Sequence, residues 1–376
     1  MLQNLLKSLK MRKKIIPIII GLVLLVIVGK VVISNINVFP VLFQLIVNRD
    51  IQLKETNNHI NILLLGIGGG THDGPDLTDT IIFANIDPKT NKILLISIPR
   101  DLWSSDLNQK VNTAYAIGES KKPGGGLTLA KAAISKITGQ NIDYGIRIDF
   151  SGFVKAVDIV GGIDINVENT FDDFQYPIDG KEADPCGHTQ EELQSFATAS
   201  ADKQVEEFPC RYKHIHFDKG LNHMNGETAL QFVRSRHAQG DEGTDFARSK
   251  RQEKVIKAFK DKVFSAQTLI NPAKIINLYE TLKSSIDTDI KQDEFDDFIR
   301  LAEKLRTAQV KTGVLDTGDT SKNRAGLLIN PPSTSDYNYE WVLIPRTGSS
   351  NYQEIQKYID CMIKTGNCPV LANPQK

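Results

Sequence analysis

The sequence predicts an α/β fold in which helices cover both faces of a β-sheet, joined to one N-terminal transmembrane helix. Two observations support this prediction. Short apolar runs of strand length alternate along the chain with longer amphipathic stretches of helical period. One long run near the N-terminus is apolar apart from Lys30 and a few proline and glycine positions. With 40% hydrophobic and 24% charged residues among 376, the composition is that of a globular protein with a sizeable core.

Residues 15–34 are predicted to be a membrane anchor. This segment is almost entirely apolar and is just long enough to span a bilayer. The basic residues before it keep residues 1–14 in the cytoplasm by the positive-inside rule, so the rest of the chain is exported. A cleaved signal peptide is the alternative, although no A-x-A-like site follows the run. Residues 35–58 would then link the anchor to the folded part.

Beyond residue 34 the chain carries 39 basic and 45 acidic residues, a net charge of −6. This balance argues against a general nucleic-acid binder. Four cysteines in an exported chain indicate two disulfides, one from Cys186 and Cys210 and one from Cys361 and Cys368. A zinc site is the alternative for the first pair, with the ligands Cys186, His188, Cys210 and His214.

Five strands and six helices are predicted between residues 59 and 312. The strands are Asn61–Gly66, Thr80–Ile86, Lys92–Ile98, Tyr144–Ile148 and Ile163–Val167. The turn DPKTN makes the second and third strands a hairpin, because proline and asparagine favour turn positions. The helices, identified by their apolar period, are Thr128–Ile137, Phe150–Val160, Gly226–Val233, Arg248–Phe264, Asn271–Lys283 and Lys291–Ala308.

The regular pattern breaks down between residues 171 and 217, an acidic insert that contains the first cysteine pair. A disulfide there would hold the insert as a lid. We therefore expect an extracytoplasmic domain at 59–312 that carries this insert, followed by a loop-rich C-terminal extension at 313–376. Within the extension we expect a strand at Glu340–Ile344 and a helix at Tyr352–Lys364.

Several common catalytic motifs are missing from the sequence. It contains no G-x-S-x-G elbow, no H-E-x-x-H and no P-loop lysine. The stretch GIGGG at 66–70 precedes a hairpin and not a helix, so it is not a dinucleotide-binding fingerprint. Its glycines allow either an anion-binding loop with a close backbone approach or an ordinary flexible loop.

Arginines are concentrated in QFVRSRHAQGDEGTDFARSKRQ, residues 231–252. The arginines of this stretch are Arg234, Arg236, Arg248 and Arg251. Gln252 shares a helical face with Arg248, and Arg100 follows an apolar strand in LLISIPRDLW. The planar fork of arginine matches phosphate oxygens, so such a cluster predicts a diphosphate site. The alternative is that these arginines lie favourably at helix ends, with Asp245 as an N-cap.

Carboxylates close to these arginines suit a magnesium ion. Asp73 and Asp76 lie in the loop before the second strand, Asp79 lies at its start, and Asp101 follows Arg100. Mg²⁺ prefers carboxylate, water and phosphate oxygens, so aspartates that face a diphosphate match its chemistry. The alternative is that Asp79 and Asp101 make only turn or cap hydrogen bonds.

Several motifs together resemble those of the LytR–CpsA–Psr family. In chain order they are LTDTIIFANIDPKTNKILLISIPRDLW, KVNTAYAIG, IDYGIRIDFSGFVKAVDIVGGIDINV, LNHMNGETALQFVRSRH and DFARSKRQ. The resemblance covers residues 60–175 and 217–265. A short cytoplasmic end before a single N-terminal span fits the family as well.

The resemblance implies a Mg²⁺-dependent, phosphotransferase-type ligase at the outer face of the cell membrane. Such proteins move a glycopolymer from a polyprenyl diphosphate carrier to a cell-wall acceptor, commonly a peptidoglycan hydroxyl. The implied fold is a three-layer α/β/α arrangement of a central mixed β-sheet flanked by helices, with a hydrophobic pocket for the lipid. The implied partners are the lipid-linked glycopolymer, the wall acceptor and the membrane, with no nucleic acid.

Site residues follow from the resemblance position by position. Those that would bind the diphosphate are Arg100, Arg234, Arg236, Arg248 and Gln252. Asp79 would bind Mg²⁺, Asp101 would support the arginine and metal shell, and Asp245 would help to deprotonate the acceptor hydroxyl. Many family members carry an aspartate after the first strand in a G-x-D pattern, where this chain has Gly66, Ile67 and Gly68. Asp73 or His72 would have to replace that aspartate.

The expected chemistry is electrostatic catalysis. An acceptor hydroxyl attacks the sugar carbon and a lipid diphosphate leaves, while arginines and Mg²⁺ stabilise its charge. Two other functions use the same site: a polyprenyl-diphosphate phosphatase in which water is the acceptor, and a non-catalytic regulator that binds the lipid or the wall polymer. Loss of turnover in Asp79→Ala would distinguish an enzyme from the binding protein.

Overall fold

The computed structural model describes residues 51–70, 74–181, 183–196, 201–263, 285–319 and 324–371. These residues divide into two compact units: a smaller one that includes Lys291–Ala302, and a larger one that contains the described residues 54–290 and 303–371. The predicted anchor, His72, Asp73 and the predicted helix Asn271–Lys283 lie outside the described residues. Within the described part, no helix has the length and apolar character that a bilayer crossing requires.

The described residues form sixteen strands and nine helices. The strands are β1 (Ile60–Ile67), β2 (Thr78–Asp87), β3 (Lys92–Ser97), β4 (Trp103–Ser104), β5 (Gln109–Lys110), β6 (Tyr144–Asp149), β7 (Ile163–Val167), β8 (Phe171–Pro177), β9 (Tyr212–Phe217), β10 (Gly220–Met224), β11 (Ile286–Thr288), β12 (Gln309–Val314), β13 (Gly318–Asp319), β14 (Arg324–Ala325), β15 (Leu328–Ile329) and β16 (Ile344–Pro345). The helices are α1 (Ala114–Lys121), α2 (Gly126–Thr138), α3 (Phe150–Ile159), α4 (Gln190–Phe196), α5 (Ala201–Glu207), α6 (Gly226–Arg234), α7 (Asp245–Val263), α8 (Phe295–Lys304) and α9 (Gln353–Thr365).

Six of the strands form a central mixed sheet in the order β11-β6-β1-β2-β3-β12. β1, β2 and β3 are antiparallel neighbours, whereas β6 runs parallel to β1 and β12 runs parallel to β3. The predicted α/β class with a mixed sheet is therefore confirmed. The hairpin predicted from DPKTN is also present, because the Asp87 side chain accepts the backbone N–H groups of Lys89 and Thr90 at 2.9 and 3.0 Å.

The main core lies on one face of this sheet. Leu63, Phe83 and Ile96 of the three central strands are buried there against Ile134 of α2 and Ile359 of α9. Burying one such side chain stabilises the fold by about 1.5–3 kcal/mol. Helix α7 packs against the opposite face, so the central strands are covered on both sides. Strands that are buried on both faces have nearly continuous apolar sequences, as these do.

The residues after Gly313 are built into the same core as the central strands. Leu343 and Ile355 are buried in the cluster that contains Leu63. The strand predicted at Glu340–Ile344 is wrong in extent, because the strand there is Ile344–Pro345, which pairs with β15, and Leu343 adds only an isolated bridge to Leu102. Val342 and Leu343 are buried one after the other, so this run is not a strand with alternating faces.

The insert is more regular than the sequence analysis predicted. β8 and β9 form an antiparallel hairpin in which Phe171 lies opposite Phe217. The buried side chains of β9 are Ile215 and Phe217, and histidines occupy the exposed alternate positions. The expected breakdown of regular pattern is therefore wrong, because a period of two is present in β9 among many acidic and polar residues.

Both predicted disulfides are present, Cys186–Cys210 and Cys361–Cys368, with Cα–Cα distances of 5.6 and 6.1 Å. The zinc alternative is wrong, because its two sulfurs are bonded to each other and are no longer thiolate ligands. His188, another of its proposed ligands, has Nε2 2.9 Å from the backbone oxygen of Glu207.

Candidate active site

The site lies at the end of the central sheet where β1 and β3 end and β2 begins. Ile67 lies opposite Thr78 and Ile82 lies opposite Ser97 in the two antiparallel pairs. Strand pairing therefore brings the start of β2, which carries Asp79, next to the residues that follow β3.

Arg100 and Asp101 follow β3 at this end of the sheet. Arg100 forms an ion pair with Asp79 through Nη1, and its Nε lies 3.5 Å from an Asp101 oxygen. The other Asp101 oxygen lies 3.4 Å from Lys110 Nζ, and the Asp101 backbone oxygen accepts the Leu343 N–H at 2.9 Å. Arg100 Nε is buried and has no hydrogen-bond acceptor within the described residues. Arg100 is therefore held by its ion pairs with Asp79 and Asp101.

A buried carboxylate fixes the loop that presents Arg236. Asp173 of β8 is fully buried, and its Oδ2 accepts Ser235 Oγ–H at 2.7 Å and the backbone N–H groups of Arg236 and His237, both at 3.2 Å. This positioning residue was not among those predicted from the sequence. The sequence pattern that could have identified Asp173 is its position two residues after Phe171 in a short strand, which places both side chains on the same, buried face.

Arg236 lies among other positive charges. Its Nη2 is 3.8 Å from Asp79 Oδ1, the same oxygen that pairs with Arg100. Burial and then the like charges of Arg248 and Arg100 lower the pKa of Arg236 to about 9. Arg236 is therefore protonated at neutral pH, with a repulsion that a bound polyanion would relieve. We call Arg100, Arg236 and Arg248 the arginine cluster.

Helix α7 carries the third member of this cluster. Arg248 and Gln252 are one turn apart, and both line a small cavity together with Asp79. Gln252 Nε2 donates to Thr80 Oγ1 at 3.3 Å, which ties α7 to the start of β2. Asp245 is the first residue of α7, but its side chain lies outside the part that the structure describes. Its role in deprotonating the acceptor remains a prediction.

The structure places Arg234 against the insert. Its Nη1 donates to both oxygens of Asp179 at 3.0 and 3.3 Å and to the Tyr176 hydroxyl at 3.3 Å. Its guanidinium also lies 4.3 Å from the ring centre of Phe150. These contacts link Arg234 to β8 and the loop after it, and its part in diphosphate binding remains a prediction.

The glycines after β1 leave room for a neighbouring carboxylate. A Cβ on Gly69 would lie 2.9 Å from the Cβ of Asp149, and Gly69 has a φ of 69°. Asp149 Oδ1 accepts the Gly152 N–H at 2.7 Å and so caps α3. Asp149 therefore has a structural role, and the replacement predicted for the missing G-x-D aspartate, Asp73 or His72, lies outside the described residues.

An apolar cavity of about 120 Å³ adjoins the arginine cluster. It lies between α7 and the sheet, and most of its lining is apolar, with Ile82, Leu95, Ile256 and Val314, although Lys250 and Glu253 of α7 also line it. Ser249 and Ser97 line both this cavity and the smaller one that contains Asp79 and Arg248. The two cavities are therefore neighbours, one next to Asp79 and Arg248 and the other mostly apolar.

The LytR_cpsA_psr family model matches residues 43–333, most of the chain. The chain belongs to the LytR–CpsA–Psr family. The resemblance read from the motifs is thereby confirmed, and the matched range contains the insert and every residue predicted for the site.

Two relatives within this family carry names that state a reaction. The polyisoprenyl-teichoic acid–peptidoglycan teichoic acid transferase TagU of Bacillus cereus is 28% identical over 243 residues, 63% of this chain and 62% of TagU. The corresponding TagV of Bacillus subtilis is 28% identical over 260 residues, 67% of this chain and 53% of TagV. The chain thus spans less than two thirds of the length of these family relatives.

A solved family structure has the same fold. The crystal structure of Bacillus subtilis TagV superposes with a TM-score of 0.52 at 23% identity, covering 84% of this chain and 100% of that one. The agreement supports the mixed α/β architecture that surrounds the arginine cluster.

Proposed function

We propose that this chain transfers a glycopolymer from a polyprenyl diphosphate carrier to a cell-wall acceptor such as a peptidoglycan hydroxyl. The observation that carries the proposal is the arginine cluster, in which Arg100 and Arg236 share Asp79, and in which burial and then like charges lower the pKa of Arg236. Three guanidinium groups that repel one another favour a compact polyanion, and a diphosphate has the matching charge and oxygen geometry. The names of TagU and TagV state a reaction of this class for those proteins.

The cluster would act on the leaving group. When the acceptor oxygen bonds to its target, negative charge grows on the departing lipid phosphate, and fixed guanidinium groups stabilise this charge more than that of the bound substrate. Asp79 and Asp101 hold the Arg100 guanidinium in place for this task. No covalent enzyme intermediate is needed for this reaction.

Asp79 fits a Mg²⁺ ion that is shared with the substrate. Mg²⁺ usually binds one or two carboxylates, water and phosphate oxygens, and Asp79 is a partly exposed carboxylate in the middle of the cluster. When bound, the ion would neutralise diphosphate charge. Asp101 is held by Lys110 and Arg100 and would orient Arg100, while Asp245 is our candidate for accepting the proton of the acceptor hydroxyl.

The apolar cavity behind the cluster would receive the first part of the prenyl chain. Its lining by Ile82, Leu95 and Ile256 favours hydrocarbon, and the cluster at its mouth would keep the diphosphate at the surface. The apolar residues 15–34 would anchor the chain in the membrane, with the site on the outer face where a lipid carrier and the wall meet.

The decisive experiment uses the full-length chain in detergent with a polyprenyl-diphosphate oligosaccharide, peptidoglycan fragments and Mg²⁺. Mass spectrometry should find a new oligosaccharide–peptidoglycan adduct that EDTA and Asp79→Asn both abolish. Free oligosaccharide without an adduct would contradict the transferase and indicate a phosphatase, and bound but unchanged lipid would indicate a binding protein.

The same mass spectrum identifies the bond that breaks. Attack at the sugar carbon gives lipid diphosphate and an adduct without the bridging phosphate. Attack at the sugar-bound phosphorus gives lipid monophosphate and a phosphodiester adduct that is heavier by one phosphate group. The arginine cluster can stabilise either leaving group, so the product mass decides between them.

A further inference from the structure

Two histidines and an aspartate that have no part in the proposed reaction form a cluster on the solvent face of the β8–β9 hairpin. His214 and His216 are two residues apart on one strand and so point to the same face. Asp172 lies directly opposite His216 in the antiparallel register. The hairpin thus presents three side chains with metal-binding atoms from two paired strands.

The distances within this group suit a shared ion. Asp172 Oδ1 lies 2.7 Å from His214 Nε2 and 2.8 Å from His216 Nδ1, and one ligand atom from each residue lies within 4.8 Å of the other two. In the described residues the other group of this kind is Asp184 with Cys186 and Cys210, whose sulfurs are joined in a disulfide.

Neighbouring side chains orient both imidazoles. His216 Nε2 lies 3.2 Å from Asp218 Oδ1, so the ring nitrogen that faces away from Asp172 has its own carboxylate. Metal-binding histidines usually donate their second ring N–H to a group of this type. The ring of Phe174 stacks on His214 with centroids 4.2 Å apart and an interplanar angle of 6°. The site therefore has supporting partners as well as ligands.

We propose that Asp172, His214 and His216 bind a divalent transition-metal ion, with Zn²⁺ as the representative, and that Asp218 positions His216. Two imidazoles and one carboxylate form a typical three-ligand zinc set that leaves a fourth position for water. Mg²⁺ and Ca²⁺ prefer all-oxygen sites and do not match these ligands. Because the side chains are partly exposed, they can separate by the few tenths of an ångström that an ion between them requires.

The ion would join the two strands of the hairpin on the face opposite the core. Asp173, the next residue after Asp172, is buried on the other face and holds the loop that carries Arg236. The proposed ion therefore stabilises a hairpin whose inner face supports the arginine cluster.

Zinc binding to the full-length chain tests the proposal. The protein is purified in detergent, stripped of metal by a chelator and dialysed against micromolar Zn²⁺, and bound metal is counted by mass spectrometry. The wild-type chain should hold one Zn²⁺ that the double variant His214→Ala, His216→Ala does not hold. Asp218→Asn should weaken the affinity about 10- to 100-fold.

Two controls make the count specific. His223→Ala removes a histidine that pairs with Asp164 at 2.7 Å but belongs to no three-ligand group among the described residues, and it should leave the zinc count unchanged. Asp79→Asn removes the proposed Mg²⁺ ligand and should also leave the hairpin zinc in place. Near-UV circular dichroism verifies that each variant is folded.

Visible absorption of the Co²⁺-loaded chain shows whether the ion has a low-coordinate site. Intense bands that disappear in the double variant support the proposal. A wild-type chain that binds no stoichiometric Zn²⁺, or a folded double variant with the full wild-type count, would overturn it, and the cluster would then be a set of histidine–aspartate hydrogen bonds only.

Discussion

Arg236 and Arg251 come from the same short stretch of sequence, yet they occupy opposite kinds of site. Arg251 is 3% exposed, and all of its nitrogens have partners: Nε donates to the Phe232 oxygen, Nη2 to the Ser235 oxygen and Nη1 to Glu242. Arg236 has an Asp79 oxygen at 3.8 Å, and that oxygen also pairs with Arg100. The hydrogen bonds of Arg251 are made within the fold and its charge is balanced by Glu242, whereas Arg236 belongs to a group with excess positive charge.

The charges around each residue explain the difference. Burial lowers the pKa of both guanidinium groups. At Arg251 the next largest influence is the Glu242 carboxylate, which opposes this shift, whereas at Arg236 it is the like charge of Arg248, which adds to it. Repulsion between like charges lowers the stability of the fold. A protein can retain it at a binding site, because a bound anion relieves the repulsion and function there is gained at the expense of stability. The comparison therefore assigns Arg251 to the fold and Arg236 to the ligand.

The largest expected effect is on the stability of an Arg251 variant. Arg251→Ala leaves the Glu242 carboxylate and the backbone oxygens of Phe232 and Ser235 without their donors. Breaking a buried pair of this kind typically costs about 3–5 kcal/mol. Denaturant unfolding of the purified variant measures the loss, and an unchanged midpoint would remove the distinction between the two arginines.

The next effect is on turnover in an Arg236 variant. Arg236→Gln should lower the rate of glycopolymer transfer about 100-fold, the scale for losing one preorganised donor to a developing charge. The free energy of unfolding should stay the same or increase at pH 7. The pKa of Arg236 is depressed in the fold, so its protonated form opposes folding below pH 9, and this contribution diminishes as the pH rises above that value. A destabilised variant would show instead that Arg236 supports the fold.

A pair of variants shows whether Arg234 binds the ligand, as proposed for Arg236, or supports the fold, as Arg251 does. If it binds the diphosphate as the resemblance implies, Arg234→Ala should also lose about 100-fold in turnover. Asp179→Asn removes its partner in the insert and should keep most of the activity. Equal and small losses in both variants would assign Arg234 to the insert and remove it from the site.

A smaller effect is expected from inorganic pyrophosphate as a probe of the cluster. At ten times its Kd, pyrophosphate should stabilise the wild-type chain by about 1.4 kcal/mol, which thermal unfolding detects. Arg236→Gln should need a higher concentration for the same shift, and His223→Ala should respond like the wild type. A shift that is equal in all three proteins would contradict binding at the cluster.

The smallest effect concerns the ion pair between Arg234 and Asp179. Asp179 is 57% exposed, so Asp179→Asn should change the free energy of unfolding by less than about 1 kcal/mol. A larger loss in denaturant unfolding would show that the pair holds the insert in place.

The sequence alone determined most of the regular elements of the central sheet. The hairpin follows from turn chemistry next to two apolar runs, and α2 and α3 follow from their apolar period, because these signals act between near neighbours in the chain. The position of Arg100 and Asp101 just after β3 could be read in the same way. The β8–β9 hairpin was missed because its alternation is short and lies within a polar, acidic segment.

Only the tertiary structure decided which charges meet. Asp79 and Arg236 lie in distant parts of the chain and share a site because β2 and the loop after α6 reach the same end of the fold. Local sequence cannot show which of the two arginines has its charge neutralised, because Arg236 in the loop after α6 and Arg251 in α7 belong to one arginine-rich stretch. The buried Asp173 is likewise an ordinary acidic residue in the sequence. Its role depends on the three donors that folding brings to one of its oxygens, and electrostatic function of this kind is a property of three-dimensional proximity.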